Sequence, residues 1–308
     1  MLEDGIYFNL SDSEYHDDFA LGSTNLKTLI NVPEDYWFEK FKENRVETSA
    51  LIYGKQIHKC VLEGCEAFKD TYAPYIGNLT TKAGKEAFEV IKNTGKIPVK
   101  EDDFNKILEV DAQIKQNPSI DRIFKNGIAE VSVIWSDEQC GLRFKARFDY
   151  LRKNAIIDLK TLSNPNNKTM NKAARDAIAS YNYLISAAHY INGRKQMKKL
   201  YQAGKIFGSH NDELLNNIVD TDYFGFIFVF WKKTLAPIAH ALQLSPQNEV
   251  FSIANSQIMD AIDNYKDFYS EFGLSADKEW RRDTAIEELS FGDLPAWYKY
   301  ENKDISYA

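Results

Sequence analysis

Two neighbouring segments decide the fold: LRFKARFDYL at residues 142–151 and AIIDLKT at residues 155–161. Apolar and polar residues alternate in the first segment, which is typical of a strand with one buried face. The second is an apolar run that one acid and one lysine interrupt, and it indicates a more deeply buried strand. Because only a tight turn separates them, we expect the two strands to pair antiparallel. Residues 128–135 also alternate, so the sequence predicts a three-stranded meander.

Side-chain alternation also predicts which polar groups come together. On the strand 142–151, Asp149 shares a face with three basic residues. These are Arg143, Lys145 and Arg147. On the next strand Asp158 and Lys160 share a face, while the apolar residues between and beside them turn into the core. Antiparallel pairing would bring Asp149 close to Asp158.

Two adjacent carboxylates repel each other unless a divalent cation compensates, and their hard oxygen atoms favour magnesium or manganese. A lysine beside such a site can orient the attacking water and help to deprotonate it. Asp149, Asp158 and Lys160 therefore indicate metal-assisted phosphodiester hydrolysis. An acid-x-lysine triplet is ordinarily a solvated strand edge. Inside AIIDLKT, however, an unpaired acid and lysine would be costly to bury, and that cost favours the functional interpretation.

His58 and Glu130 are weaker candidates on the residues alone. The helix predicted over residues 50–62 places His58 on the same side as a glycine four residues earlier. A single histidine in such a place is more often a core or surface side chain than a ligand. Glu130 begins an ordinary strand and could equally form a salt bridge with Arg143 or Arg147.

The rest of the pattern predicts helices and further strands in one domain, residues 1–308. The segments with helical periodicity are 23–33, both ends of 82–117, 171–192 and 251–269. The further predicted strands are 223–231 and 238–244. Gly193 is expected to end the long helix, and the mixed-charge stretch 82–117 needs no role beyond a solvated outer layer. The polar stretch at about 194–222 is predicted to be an insertion.

Composition excludes several classes of protein. A net charge of -7 and a pI of about 5.4 do not fit a protein that coats nucleic acid by bulk positive charge, so DNA contact needs a local cationic groove. The three cysteines show no metal-type or disulfide-framework spacing and are too few for a four-cysteine iron–sulfur cluster. The sequence shows neither a signal peptide nor an apolar run of membrane-spanning length. We therefore expect a cytoplasmic protein with reduced cysteines and no membrane partner.

Several further segments carry a resemblance that covers nearly the whole chain: GIYFNLSDSEYH, GSTNLKTL, YGKQIHKCVLE, AGKEAF, AEVSVIW, IIDLKT and LPAWYKYEN. In these segments the chain resembles the RecE-type phage exonucleases, the exonuclease VIII C-terminal domain, in the RecB-like branch of the PD-(D/E)xK nuclease superfamily. The resemblance implies an α/β fold with a central mixed β-sheet flanked by helices. The meander, long helix and aromatic strand predicted above agree with that architecture.

The resemblance also implies roles for individual residues. The metal ligands that it implies are His58, Asp149, Asp158 and the carbonyl group of Leu159. Lys160 matches the catalytic lysine, which acts with the two aspartates, and Glu130 matches a family glutamate that would be a second-tier member of the site. The basic residues of strand 142–151 are candidate DNA contacts. A family helix motif, Q-x-x-x-Y, reads SAAHY here, with Ser186 in place of glutamine and Tyr190 retained as a further DNA contact.

The activity implied by the resemblance is processive, 5′-to-3′ degradation of double-stranded DNA from its ends. The cofactor would be Mg²⁺, for which Mn²⁺ can substitute, and the products would be 3′ single-stranded tails for recombination. The implied partners are a single-strand annealing protein of the RecT type and further copies of the chain in a ring-like homo-oligomer. The implied setting is a bacterial host cell, with a phage or prophage origin.

Of three alternative functions, one can be set aside and two stay open. A Cas4-like nuclease would need a cysteine cluster that this chain cannot form. A non-processive endonuclease of the same superfamily, such as a restriction enzyme, would cut DNA internally. A catalytically silent DNA-binding or assembly protein would retain the fold without hydrolysis, but the presence of all the metal-site residues argues against it.

Overall fold

The structure is a computed structural model that describes residues 1–42, 48–232 and 238–302. Its strands are β1 (Gly5–Tyr7), β2 (Tyr72–Tyr75), β3 (Ile97–Lys100), β4 (Gly127–Asp137), β5 (Leu142–Arg152), β6 (Ala155–Leu162), β7 (Ile206–Phe207), β8 (Gly225–Lys232) and β9 (Ala239–Leu244). Its helices are α1 (Asp12–Asp17), α2 (Ser23–Asn31), α3 (Pro33–Phe41), α4 (Ser49–Leu62), α5 (Cys65–Thr71), α6 (Lys82–Lys92), α7 (Glu101–Gln116), α8 (Pro118–Asp121), α9 (Met170–Ser180), α10 (Tyr183–Gln202), α11 (Asp212–Val219), α12 (Val250–Phe272) and α13 (Ala296–Glu301).

The main sheet is mixed and has the strand order β7-β1-β4-β5-β6-β8-β9. Antiparallel pairing joins β1 to β4, β4 to β5, β5 to β6 and β8 to β9. Strand β7 runs parallel to β1, and β8 runs parallel to β6. The predicted meander is present as β4, β5 and β6. These features confirm the α/β fold with a central mixed sheet flanked by helices.

Apolar side chains are buried on both faces of this sheet. The larger core lies against α2, α3, α9, α10, α11 and α12. The smaller core lies against α4, α5 and α7 on the opposite face. Strand β6 contributes to both, since Ile156 and Leu162 belong to the larger core while Ile157 and Leu159 belong to the smaller one. Asp158 and Lys160 of this strand therefore lie among side chains that pack into the two cores.

The predicted long helix over residues 171–192 is in fact two helices. Asn182, in a left-handed conformation with φ of 49°, separates α9 from α10. The second helix passes through Gly193 and ends at Gln202, so Gly193 is not its terminus. A Cβ atom at Gly193 would lie 2.9 Å from the ring of Trp135. Gly193 is needed for this close packing of α10 on β4.

The stretch 194–222, which the sequence predicts to be an insertion, packs against the rest of the fold. It contains the end of α10, strand β7 at the sheet edge and helix α11. Leu215 and Ile218 belong to the larger core. Arg194 is 4 % exposed and donates to the carbonyl groups of Arg152 and Ala155. The expected insertion is thus integrated into the core by buried contacts that its polar composition conceals.

The stretch 82–117 is more than a solvated layer. Its helical ends are present as α6 and α7, and the segment between them contains β3, which pairs with β2 in a separate parallel ribbon. Buried residues of α7, among them Phe104 and Ile107, line the smaller core. The prediction of a solvated outer layer is therefore wrong for α7.

Cys60 at the end of α4 and Cys65 at the start of α5 form a disulfide, with Cα atoms 4.4 Å apart. The sequence predicted reduced cysteines because the three cysteines show neither paired C-x-x-C spacing nor the even number of a secreted disulfide framework. For Cys60 and Cys65 that prediction is wrong. The turn between the two helices brings the residues together.

Among the described residues, no helix combines the length and apolarity that a membrane crossing requires.

Candidate metal centre

The candidate site lies where β5 and β6 separate. Pairing between the two strands ends at the Tyr150–Ile157 pair, and one step further along the same register Asp158 faces Asp149. There Oδ2 of Asp149 accepts a hydrogen bond from the backbone amide of Leu159 at 2.7 Å. The Asp149 carboxylate thus takes the place of a backbone partner, which fixes it at the point of divergence.

Glu130 lies opposite Asp149 on β4, because the residues that flank the one pair with the residues that flank the other. Its φ of 52° is left-handed, a conformation that costs a residue with a side chain about 1 kcal/mol or more. As a result Ala129 packs against the smaller core and Val131 lies in the larger one, although they are two residues apart. Burial, together with the charge of Asp149, raises the pKa of Glu130 to about 7.

His58 reaches the same point from α4. Its Nε2 atom lies 2.8 Å from the carbonyl oxygen of Leu159 and 3.7 Å from Oδ2 of Asp149. Its Nδ1 atom lies 3.9 Å from Oε1 of Glu130. Since a carbonyl oxygen only accepts, Nε2 donates in the contact with Leu159. His58, Glu130 and Asp149 each offer a ligand atom within 4.8 Å of the others.

Asp158 and Lys160 form a buried ion pair on β6. The Lys160 ammonium group donates to Oδ1 of Asp158 at 2.5 Å, and Asp158 is 1 % exposed. Oδ2 of Asp158 has no hydrogen-bond partner within residues 1–42, 48–232 and 238–302. Burial raises the pKa of Asp158 against the opposing charge of Lys160. Burial lowers the pKa of Lys160, but the charges of Asp158 and Asp149 outweigh it and raise the pKa overall.

These residues fit a divalent cation. The donor atoms are carboxylate oxygens, a backbone carbonyl oxygen and an imidazole nitrogen, which suit magnesium or manganese. A buried carboxylate oxygen without a partner is costly unless a positive group satisfies it, and Oδ2 of Asp158 has that need. The structure brings together the predicted His58, Asp149 and Leu159 carbonyl. It adds Glu130 at ligand distance and leaves Asp158 outside the group of three side chains.

A cleft of about 1050 Å³ opens over this cluster. The cleft is lined by His58, Glu130 and Asp149. Residues from the N-terminal part of the chain (9–20), α2, α3 and α4 contribute to its wall. The exposed ring of Phe19 and the guanidinium group of Arg147 also lie along the cleft. Its volume is sufficient for several nucleotide-sized groups.

Arg143, Lys145 and Arg147 of β5 contact the N-terminal segment of the chain, residues 2–18. The partners are Leu2, Asp4 and Asp18 for Arg143, Tyr15 and Asp18 for Lys145, and Leu10 and Asp12 for Arg147. Lys145 is 4 % exposed, and its ammonium group is enclosed by backbone carbonyl oxygens. Arg143 and Lys145 therefore hold this segment and do not form the free cationic row that strand alternation predicted. Contact of either one with DNA would require the segment to leave.

Ser186 and Tyr190 lie one turn apart on α10. Tyr190 lines the cleft and forms a hydrogen bond with Ser23, and burial together with the charge of Asp158 raises its pKa. Ser186 is 5 % exposed and does not line the cleft. Tyr190 is thus placed for the predicted DNA contact, whereas Ser186 is enclosed because α10 packs this face against the core. Both contacts stay predictions.

Sequence reasoning missed Lys27 on α2. Its Nζ atom lies 5.0 Å from the centroid of the Tyr183 ring, and Nζ of Lys160 lies 5.6 Å from the same centroid. Burial, together with the charge of Lys160, lowers the pKa of Lys27 to about 8. The only sequence feature that points to Lys27 is its place in GSTNLKTL. No spacing pattern relates Lys27 to Lys160, which lies more than a hundred positions away.

Comparisons with known proteins agree with this fold. Residues 22–208 match the model of a family described as PDDEXK-like domain of unknown function (DUF3799), and this range contains every residue of the candidate metal centre. No curated protein matches the chain. A crystal structure of a presumed exonuclease from Eubacterium rectale is similar, with a TM-score of 0.52 and 17% identity over 94% of this chain and 99% of that chain. At that identity the likeness shows the fold alone.

Proposed function

Because this chain belongs to the family of PDDEXK-like domains of unknown function (DUF3799), we propose that it is a metal-dependent nuclease that hydrolyses phosphodiester bonds in DNA. A fold hosts many activities, so the proposal rests on the site. One observation carries it. Ligand atoms of His58, Asp149 and Leu159 converge where two strands separate, beside a buried oxygen of Asp158 that lacks a partner in the described part of the chain.

Several groups at this point would coordinate the cation together. His58, Asp149, Asp158 and the Leu159 carbonyl would hold it, and Glu130 stands within reach of the same position. In such a site a divalent cation supplies Lewis-acid polarisation of the phosphoryl group and lowers the pKa of water. We assign Mg²⁺, with Mn²⁺ as its substitute, because oxygen donors dominate.

Lys160 would bind and orient the phosphoryl group. Because Asp158 keeps it protonated, its ammonium group can donate to a nonbridging oxygen and stabilise the negative charge that develops there. This role differs from the help in deprotonating water that the sequence suggested. The Glu130 carboxylate faces the cleft and can accept a proton from the attacking water instead.

The finer proposal is a processive exodeoxyribonuclease that acts on double-stranded DNA ends in the 5′-to-3′ direction. It rests on the resemblance to RecE-type exonucleases in the segments quoted above. In this proposal the enzyme is a ring-like homo-oligomer that leaves 3′ single-stranded tails for a RecT-type annealing protein during recombination. Its setting would be the cytoplasm of a bacterial host, with a phage or prophage origin.

The test uses linear duplex DNA labelled at the 5′ or the 3′ end, and a covalently closed circle of the same sequence. Mg²⁺ or Mn²⁺ should allow hydrolysis of the linear duplex and EDTA should prevent it, with early release of the 5′ label and no cleavage of the circle. Asp149→Asn should be inactive, whereas Asp220→Asn, an exposed carboxylate at the end of α11, should match the unmodified protein.

Each other outcome selects a different function. Cleavage of the circle would identify an endonuclease. Binding of DNA without hydrolysis under any of these conditions would contradict the proposed activity and favour the silent DNA-binding alternative.

A further inference from the structure

The carboxylate of Asp12 forms ion pairs with two cations at the edge of the metal centre. One oxygen of its carboxylate lies 2.7 Å from Nη1 of Arg147, and the other lies 2.6 Å from Nζ of Lys55. Arg147 comes from β5, two residues before Asp149, and Lys55 comes from α4, one turn before His58. The two elements that supply metal ligands therefore also supply two cations that converge on one anion.

Ser132 and the segment around Asp12 together orient the guanidinium group of Arg147. Its Nε atom donates to Oγ of Ser132 at 2.9 Å, and Nη2 donates to the carbonyl oxygen of Leu10 at 2.8 Å. The group also stacks 4.4 Å from the centroid of the Tyr15 ring. These contacts leave Nη1 directed at Asp12. Burial opposes ionisation of Asp12, but the hydrogen bond from Lys55 and the charges of both cations lower its pKa.

Helix α1 presents Asp12 at the protein surface, with 52 % of the Asp12 side chain exposed. None of its residues is buried. The chain is fixed on both sides of it, since Phe8 lies in the larger core and Asp18 accepts hydrogen bonds from the amides of Leu2 and Ala20. Lys145 also holds the backbone of α1, because its ammonium group donates to the carbonyl oxygen of Tyr15. The Asp12 side chain can therefore turn away from the two cations while the backbone of α1 stays in place.

We propose that Arg147 and Lys55 form a phosphate-binding subsite for DNA, and that Asp12 occupies this subsite until a DNA phosphate displaces it. The inference rests on the proposed nuclease function and deepens it. Arginine binds carboxylate and phosphate oxygens through the same N–H donors, so one anion can replace the other. Asp12 then acts as an internal competitor that weakens the binding of polyanions to the cleft.

The test measures DNA affinity by fluorescence anisotropy, with Ca²⁺ as the cation so that binding is observed without hydrolysis. Asp12→Asn should tighten binding by roughly 3- to 10-fold, and Arg147→Gln and Lys55→Gln should each weaken it by roughly 10-fold. Each cation variant should also reduce the slope of log affinity against log salt by about 1. The matched control is Asp17→Asn, which removes the same charge from the same helix and should change affinity less than about twofold.

Opposite effects of Asp12→Asn and Arg147→Gln are the decisive result. If the two cations only fasten α1 to the sheet, both variants release the helix and change affinity in the same direction. That result would overturn the subsite and leave the nuclease proposal intact. Failure of the unmodified protein to bind DNA would overturn both. If Arg147→Gln does not fold, the comparison of Asp12→Asn with Lys55→Gln carries the same test.

The phosphate could belong to a DNA end or to the internal backbone. Duplexes with 5′-phosphate and 5′-hydroxyl ends distinguish the two sources, with inorganic phosphate as a competitor. A tighter complex of Asp12→Asn only with 5′-phosphorylated ends identifies a terminal phosphate. An equal gain with both ends identifies the backbone, and either result supports the phosphate subsite.

Discussion

At the scale of single residues, substitution of Lys160 should affect both the cleavage rate and the stability of the metal-free protein. Lys160→Ala should lose at least about a hundredfold in cleavage rate, the usual scale for a lost catalytic group, while DNA affinity changes little. Because Asp158 then loses its ion-pair partner, the metal-free variant should also unfold at a lower temperature, and Mn²⁺ should restore part of the difference.

Rates with labelled duplex and thermal unfolding with and without Mn²⁺ measure both effects. The matched control is Lys153→Ala, an exposed lysine in the turn between β5 and β6, which should leave both unchanged. Normal turnover of Lys160→Ala would exclude a catalytic role for this residue.

His189 should make stability depend on pH. It is 2 % exposed, its Nε2 atom donates to the carbonyl oxygen of Lys145 at 2.8 Å, and burial lowers its pKa to about 4. Between this pKa and the unfolded value of about 6.5, the unfolded chain binds a proton that the native protein does not. The contribution of His189 is therefore fully present above about pH 6.5 and is lost as the pH falls towards 4, by about 3 kcal/mol in all.

The measurement is the free energy of unfolding in urea at several pH values from 7.5 to about 4.5, for the unmodified protein and for His189→Gln. The unmodified protein should lose more stability on acidification than the variant. Parallel pH profiles would show that another group dominates.

At the scale of elements, α10 depends on a glycine for its contact with the sheet. Alanine at Gly193 would place Cβ 2.9 Å from the Trp135 ring and 3.2 Å from a methyl group of Val133. Such overpacking costs about 1 to 3 kcal/mol, which exceeds the gain of about 1 kcal/mol in helix propensity. Gly193→Ala should therefore destabilise the protein.

Gly54 on α4 is the matched control, because no heavy atom lies within 4 Å of a Cβ atom placed there. Gly54→Ala should stabilise the protein by about 0.5 to 1 kcal/mol. Urea unfolding of both variants measures the difference. A stabilising Gly193→Ala would mean that Trp135 can shift without cost and that α10 does not need close approach at this position.

At the scale of the whole molecule, net charge bears on assembly. A monomer with a net charge of -7 has little long-range attraction for DNA, and Arg143, Lys145 and Arg147 of β5 contact its own N-terminal segment. Processive action would then need topological enclosure, which a ring of subunits supplies. Light scattering at micromolar concentration should show a closed multimer, and a trap assay should show many cleavages per encounter. A strictly monomeric particle that releases DNA after each cut would contradict the ring and leave the metal centre unaffected.

The sequence by itself determined the features that depend on near neighbours along the chain. Alternation and a tight turn fixed β5, β6 and the approach of Asp149 to Asp158, because side-chain direction and short-range pairing follow directly from residue order. The apolar surroundings of Asp158 likewise marked the acid as functional, since burial of an unpaired carboxylate is costly. His58 became a candidate ligand through family resemblance, because its contact with Leu159 spans 101 positions that no local pattern relates.

The tertiary structure alone decided where alternation fails and which charges meet. The left-handed Glu130 redirects its neighbours and joins the ligand group, a result of strain that packing on both sheet faces maintains. Gly193 lies within a helix because the Trp135 ring needs its space. Arg147 meets Asp12 across 135 positions because the N-terminal segment folds over β5. Pairings of this kind depend on which surfaces pack together, and that choice belongs to the whole chain and not to any one segment.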